Sequence, residues 1–178
     1  MNPSTHSAAP GAAGICLALA RRVDGIITLA SAIPQSLIAL LGRFSIAAVF
    51  WKSGQTKVEG LAIDLLDGQF HFGRPHLSDS ATALFRDEYR VPLLSPEVAA
   101  PLAALGEHAF SALLLLGLAT RFSALALLGM TAVIQLFVYP GAYPTHGTWA
   151  AVLLYLVATG PGKLSLDHWI ARACHRSD

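Results

Sequence analysis

Residues 98–162 read VAAPLAALGEHAFSALLLLGLATRFSALALLGMTAVIQLFVYPGAYPTHGTWAAVLLYLVATGPG and hold only two charged side chains, Glu107 and Arg121. Residues 52–97 hold twelve charges of a chain that has 12 basic and 11 acidic residues in all. A charge at mid-bilayer costs several kcal/mol unless it is paired or hydrated, so this contrast separates membrane-spanning helices from a water-exposed insertion. In the whole chain of 178 residues 13% are charged, about half the fraction usual in soluble domains, and the mean hydropathy is +0.54. The sequence predicts an integral membrane protein.

A span requires about 20 apolar residues, because a helix rises about 1.5 Å per residue and the hydrocarbon core is roughly 30 Å thick. Four segments meet this requirement or come close to it: residues 34–56, 97–118, 121–139 and 143–160. A polar insertion, residues 57–96, separates the first two, and residues 1–13 read as a disordered tail. We expect an all-α integral membrane protein, a four-helix transmembrane bundle that forms a single membrane domain over residues 14–178.

Two further segments have helical patterns. Residues 14–33 alternate apolar side chains with Arg21, Arg22 and Asp24, which is typical of an N-terminal interfacial helix, although the segment could instead extend the first span. Within the insertion, residues 81–90 are also amphipathic. For them we favour a surface helix that caps the outer mouth of the bundle over an ordinary hydrated loop.

Basic residues in short segments indicate the orientation, because they stay on the cytosolic side. Four spans place three basic segments on one side: residues 21–22, Arg121 in a turn, and residues 163–176. Both termini are therefore expected in the cytosol and the insertion in the periplasm. A disulfide between Cys16 and Cys174 is not expected in that reducing compartment. The net charge of +1 excludes nucleic acid as the partner.

Ionisable residues inside a span are functional candidates by default. Counted along their helices, Arg43 and Glu107 both fall roughly 13 to 15 Å into the membrane, so we expect an ion pair between the first two spans. If the first span begins further upstream, Arg43 moves outward and the pairing is in doubt. The pair could serve chemistry, or it could be a buried salt bridge that only fixes helix register.

Other polar residues follow helical stripes. Lys57 shares a face of the first span with Arg43, and Thr131, Gln135 and Tyr139 are spaced i, i+4, i+8 on the third. Taken singly, Gln135 and Tyr139 are more simply read as an interhelical hydrogen bond and an interfacial aromatic.

His146 and Trp149 lie at the start of the fourth span, where these stripes would converge. The set predicts a polar cavity that opens outward and suits a small polar ligand or a quinone head group. The histidine and cysteine spacings predict no metal site.

Ordered motifs recur through all four predicted spans. They read RFSIAAVFWKSGQTK from Arg43, GEHAFSALLLLGLATRFSALALLGM from Gly106, QLFVYP from Gln135, and THGTW followed by GPGKLSLD up to Asp167. Over residues 34–169 the sequence resembles the DoxX family. The resemblance implies a four-helix protein of the bacterial cytoplasmic (inner) membrane, akin to the DoxD-like group.

That group includes quinone-reducing membrane subunits of thiosulfate:quinone oxidoreductase, and other relatives accompany iron-dependent enzymes that modify peptide cysteines. Eleven residues match the family's motif positions: Arg43, Ser53, Gly54, Lys57, Glu107, Thr120, Arg121, Gln135, Pro140, His146 and Trp149. Of these, the resemblance suggests structural roles for Ser53, Gly54, Thr120, Arg121 and Pro140.

Three functions fit. The first is a quinone-linked subunit of a membrane oxidoreductase, in which Glu107 or His146 exchanges protons and Arg43 or Lys57 steadies negative charge. Such a subunit acts as an enzyme only together with a protein partner, because its sequence contains no motif for an electron carrier. The second is a non-enzymatic membrane anchor or accessory for a partner enzyme, and the third is a small-solute transporter, for which four spans are few unless the chain forms a homo-oligomer.

Overall fold

The computed structural model describes residues 12–64 and 68–174. Residues 1–11 of the predicted tail lie outside the described part. The elements are, in chain order, α1 (Ala12–Ser31), α2 (Gln35–Gln55), β1 (Val58–Asp64), β2 (Gln69–Leu77), α3 (Asp79–Leu84), α4 (Pro96–Leu116), α5 (Thr120–Val133), α6 (Tyr143–Thr159) and α7 (Leu166–Cys174). Two π-helical turns, Phe85–Tyr89 and Ile134–Val138, continue α3 and α5, and a 3-10 turn, Pro140–Ala142, precedes α6.

Helix α1 belongs to the first of two compact units, residues 1–34. The hydroxyls of Thr28 and Ser31 donate to backbone carbonyls one turn earlier, as hydroxyls inside helices commonly do. The helix ends at Ser31 and the next begins at Gln35, so residues 14–31 form a helix of their own and do not continue the first span as one helix. The interfacial position of α1 stays a prediction.

The second unit contains the helices that carry the candidate site. Among the described residues, three helices are long and apolar enough to cross a membrane: α2, α4, and α5 with its π-helical turn. They begin and end within two residues of the first three predicted spans. Helix α6 occupies the place of the fourth, but its 17 residues amount to about 26 Å, which is short for a hydrocarbon core of roughly 30 Å.

These four helices pack as a bundle in which α2 contacts α4 and α6, and α5 contacts the same two helices. Small side chains let the helix backbones approach one another. The buried core consists of Ala39, Ile46, Ala47, Phe50, Leu114, Ala124, Leu127, Leu153 and Leu156. Leucines cover the outside, such as Leu41 and Leu105, and they are more than half exposed. An apolar outer surface of this kind is solvated by lipid tails.

The insertion contains a feature that the all-α expectation missed. Strands β1 and β2 form an antiparallel hairpin, with Leu61 opposite Phe72 and Ile63 opposite Phe70. The start of β2, Gln69-Phe70-His71-Phe72, alternates with the two-residue period of a strand, whereas the run Leu61-Ala62-Ile63 of β1 does not, so the sequence signal for the hairpin is short. The fold is therefore mainly helical with one two-stranded sheet.

Helix α3 follows the hairpin and continues into the π-helical turn Phe85–Tyr89, so residues 81–89 are helical, as favoured from the sequence, and Arg90 ends the turn with φ +42°. Ser78 begins α3, where its hydroxyl accepts the backbone N–H of Ala81. Phe85 is buried against Ala99 and Ala100 of α4. This packing attaches the segment to the bundle, and a hydrated loop would lack it.

Candidate functional site

A cavity of about 510 Å³ lies inside the bundle. Helices α2, α4, α5 and α6 line it, together with Phe85, Tyr89, Val91 and Leu94 from the segment that follows α3. Its wall is mainly apolar. The polar side chains that line it are Ser53, Lys57, Tyr89, Glu107, Tyr139 and His146.

A buried ion pair between Lys57 and Glu107 forms one part of this wall. Lys57 Nζ lies 2.9 Å from Glu107 Oε2 and 3.0 Å from Oε1, and the two side chains are 3% and 4% exposed. Ser53 Oγ donates to Glu107 Oε1 at 3.0 Å, and Lys57 Nζ also donates to the backbone carbonyl and the hydroxyl of Ser53 at 3.0 Å each. Both charges are therefore compensated within the protein.

Gly54 makes this pairing sterically feasible. A Cβ at this position would lie 2.7 Å from two ring atoms of His108 and 3.2 Å from Glu107 Cβ. Real Cβ atoms do not approach other atoms that closely, so α2 and α4 meet here because residue 54 has no side chain. Lys57 follows in the turn after α2, where its amide donates to the carbonyl of Gly54.

The expected ion pair between Arg43 and Glu107 is wrong. Arg43 Nη1 donates to the carbonyl of Leu114 at 3.3 Å, and Nη2 donates to the carbonyl of Leu164. Leu114 lies seven residues beyond Glu107, about 10 Å along α4. Counting residues gives the depth within one helix, but it does not give the axial offset between two helices. That offset sets Arg43 level with the last turn of α4.

Arg43 stabilises a helix end. It is 1% exposed, and its cation lies at the carbonyl end of α4, where the helix dipole favours positive charge. Gly117 ends that helix with φ +67°, and a Cβ there would lie 2.0 Å from Arg43 Nη1. Arg43 is not among the residues that line the cavity.

Gln135 and His146 form a second polar group. His146 lines the cavity and is 5% exposed, and its Nδ1 lies 2.8 Å from Gln135 Oε1. Because Gln135 Nε2 donates to the carbonyl of Pro140, Gln135 Oε1 is the acceptor and His146 Nδ1 carries the proton. Nε2 of a neutral His146 is then an acceptor. Trp149 packs against this ring, with centroids 5.1 Å apart.

Tyr139 connects the π-helical turn Phe85–Tyr89 with the end of α5. Its hydroxyl donates to Glu88 Oε1, and its ring meets Tyr89 edge to face at 5.8 Å. Burial of the Tyr89 phenol raises its pKa, so this phenol stays neutral at the cavity wall. Of the seven predicted cavity residues, Lys57, Glu107, Tyr139, His146 and Trp149 line one cavity; Gln135 lies behind His146, and Arg43 lies elsewhere.

A family model of DoxX matches residues 38–140, more than half of the chain. The chain belongs to the DoxX family. No curated protein and no solved structure gives a significant match. With its apolar helices, this DoxX chain is a membrane protein, as its sequence predicted.

Three of the five predicted structural positions of this DoxX protein, Thr120, Arg121 and Pro140, lie at the turn after α4 and the turn before α6. The carboxylate of Asp167 accepts the amides of Ala119 and Thr120 at 2.8 and 2.9 Å and so caps the N-terminus of α5. Arg121 lies beside Gly160. The backbone carbonyl of Pro140 accepts a hydrogen bond from the side-chain amide of Gln135. Thr131 donates to the carbonyl of Leu127 and does not reach the cavity.

Sequence reasoning missed a polar network that attaches the hairpin to the DoxX bundle. His108 Nδ1 lies 2.7 Å from the carbonyl of Ala104, so its Nε2 accepts from Gln55 Nε2, also at 2.7 Å. Gln55 Oε1 accepts the amide of Ile63, and Trp51 Nε1 donates to the carbonyl of the same residue. Trp51 and Gln55 are four residues apart, a spacing that places them on one helix face. Within residues 12–64 and 68–174, no three His, Cys, Asp or Glu side chains are grouped to hold a metal ion.

Proposed function

We propose that this DoxX protein binds a membrane-soluble quinone in the cavity and acts as the quinone-linked subunit of a membrane oxidoreductase system. The composition of the cavity wall carries this proposal. Apolar side chains of four helices line most of it, and an ammonium, a carboxylate and an imidazole meet it in a few places. A ligand with a polar head and a large apolar body fits such a wall.

The residues present fit a quinone head. Lys57 Nζ can donate to a carbonyl oxygen and steady negative charge there, and His146 Nε2 can accept from a hydroxyl. Trp149 and Phe50, whose rings lie 5.6 Å apart, offer aromatic faces against which the flat conjugated ring of a quinone can pack. When bound, a quinone supplies an acceptor for two electrons and two protons.

Glu107 and His146 are the groups that we assign to proton transfer in this cavity. Both line it, both are nearly inaccessible to solvent, and both can exchange a proton with a ligand oxygen. The two electrons come from a redox centre of a partner protein, which the proposal requires.

The membrane arrangement belongs to the same proposal. We infer that α6 crosses the membrane as a fourth span, because it packs in the bundle between α2 and α5 and its 17 residues reach nearly across. Both termini then lie in the cytosol of a bacterium, and the hairpin with α3 lies in the periplasm, as the basic segments favour.

A second candidate function rests on the completeness of the ion pair. Every oxygen of Glu107 already accepts a hydrogen bond from Lys57 or Ser53, as in a buried pair that only fixes helix register. In that case the protein is a non-enzymatic anchor for a partner enzyme, and the cavity holds ordinary lipid.

Quinone binding in nanodiscs tests the first function. We expect saturable quenching of the protein's tryptophan fluorescence, to which the cavity residue Trp149 contributes, when a decyl-substituted benzoquinone is added. The double variant Lys57→Met/Glu107→Leu removes both charges without leaving one unpaired, and it should weaken binding about 10- to 100-fold through the lost charge-assisted hydrogen bond.

The matched control is Arg86→Gln, which breaks the exposed ion pair of Arg86 with Glu97 outside the cavity. It should bind as the wild type does. Non-saturable quenching in the wild type, growing only with the quinone content of the lipid, would contradict quinone binding and favour the anchor.

A further inference from the structure

The cavity has an open side, and that side faces lipid between α4 and α5. Most residues that line the cavity are buried or half-buried. Five residues line the cavity and are exposed as well: Leu94, Leu102, Gly129, Val133 and Tyr139. They belong to α4, to α5 and the residue that follows its π-helical turn, and to the segment that precedes α4, so the exposed rim follows the α4–α5 boundary.

Glycines widen this boundary halfway along the two helices. A Cβ added at Gly129 would meet no atom within 4 Å. At Gly106 the nearest atom is Met130 Sδ, 3.4 Å from the Cβ position, so one flexible thioether side chain crosses the gap at this level. Toward the turn between α4 and α5, Phe110 and Phe122 pack edge to face with centroids 5.8 Å apart and close the gap. The opening is thus confined to the half of the boundary nearer α3.

The polar groups lie on another side of the same cavity. Ser53 lies on α2, Lys57 lies in the turn after α2, and the buried His146 lies on α6. Glu107 on α4 contacts Ser53 and Lys57. A ligand whose head reaches these groups has its remaining length directed across an apolar wall toward Gly129 and Val133. A volume of about 510 Å³ accommodates a head group and a short chain, whereas a long hydrocarbon tail requires an exit.

We propose that the gap between α4 and α5, bounded by Gly106, Gly129, Met130 and Val133, is a subsite for the hydrocarbon tail of a lipid-soluble ligand, through which the tail extends into the bilayer. This inference rests on the proposed quinone function and adds the ligand class, an aromatic head with a long alkyl or isoprenoid tail. Entry and exit occur sideways through the membrane, so the hairpin and α3 can stay in place during exchange.

Two benzoquinones test the subsite, one that carries a methyl group and one that carries a decyl chain in its place. Binding is measured by quenching of tryptophan fluorescence in nanodiscs of phosphatidylethanolamine and phosphatidylglycerol, with each dissociation constant expressed per lipid. The variant Gly129→Phe places a ring in the gap. The ratio of the dissociation constant of the decyl compound to that of the methyl compound should rise about tenfold relative to the wild type. The new ring occupies the space of the decyl chain, and accommodating both requires the surrounding side chains to move.

Leu125→Phe is the matched control, since Leu125 lies one turn away on α5, is 57% exposed and does not line the cavity. Its ratio should equal that of the wild type. Val133→Phe repeats the test in case Gly129→Phe fails to fold. An unchanged ratio in both gap variants, or an equal rise in the control, would overturn the tail subsite while quinone binding stands. If neither benzoquinone binds to the wild type, the proposed function itself fails.

Discussion

Removing one member of the Lys57–Glu107 pair should destabilise the protein far more than removing both. In Glu107→Leu, the Lys57 ammonium stays buried with the two oxygens of Ser53 as its remaining partners. In Lys57→Met, the Glu107 carboxylate keeps only the Ser53 hydroxyl. Breaking a buried pair on one side typically costs about 3–5 kcal/mol, because the other charge remains without compensation in a medium of low polarity.

The double variant Lys57→Met/Glu107→Leu contains no buried charge at this site. Apolar replacements of a buried pair are often neutral in stability, so we expect it to unfold close to the wild-type midpoint. Two single costs of about 3–5 kcal/mol each, set against a double variant near the wild type, give a coupling free energy of about 6–10 kcal/mol, far above the few tenths expected for independent sites.

Reversible unfolding in mixed detergent micelles, followed by circular dichroism, provides the four free energies of unfolding. A parallel cycle on Arg86 and Glu97, whose side chains are each 59% exposed, is the control, and solvent screening should make its coupling much smaller. If the coupling of Lys57 with Glu107 does not exceed that of this exposed pair, the site is hydrated and our account of its energetics is refuted.

Gly54→Ala should lower the free energy of unfolding by about 1–3 kcal/mol, because the new methyl group meets the ring of His108 at 2.7 Å; thermal unfolding measures this. Gly25→Ala is its control, since no atom lies within 4 Å of that Cβ, and it should be neutral or stabilising. Asp167→Ala should cost about 1–2 kcal/mol by leaving the amide of Thr120 uncapped, and amide hydrogen exchange should become faster in the first turn of α5 while α2 keeps its protection.

The helices could be predicted because their signals are local. Long apolar runs bounded by proline and glycine predict the ends of α2, α4 and α5, the last with its π-helical turn, to within two residues. Most of the cavity residues could also be predicted, since Glu107 on α4 and the pair His146 and Trp149 on α6 stand out in apolar helices and all line the cavity. What these positions share is a polar or aromatic side chain where lipid solvation requires an apolar one.

Pairing could not be predicted, because it depends on how helices are offset and rotated against each other. Arg43 and Glu107 have matching depths in their own helices, yet α4 ends level with Arg43. One signal pointed to the correct partner. Gly54, next to Ser53 and one turn before Lys57, marks a place where another helix approaches closely, and Glu107 is the acid in the middle of that helix, whereas Glu97 lies in its first turn.

The two buried basic side chains of the bundle are compensated in different ways, and this separates structural from functional candidates. Arg43 donates to backbone carbonyls at a helix end, and its own side chain does not line the cavity. Its replacement should therefore affect folding alone. Lys57 is compensated by an acid that lies on the cavity wall beside it. A ligand oxygen can therefore compete with Glu107 for the Lys57 ammonium without exposing either charge to lipid. A ligand in the cavity cannot reach Arg43 in the same way. Function is therefore best sought first at Lys57.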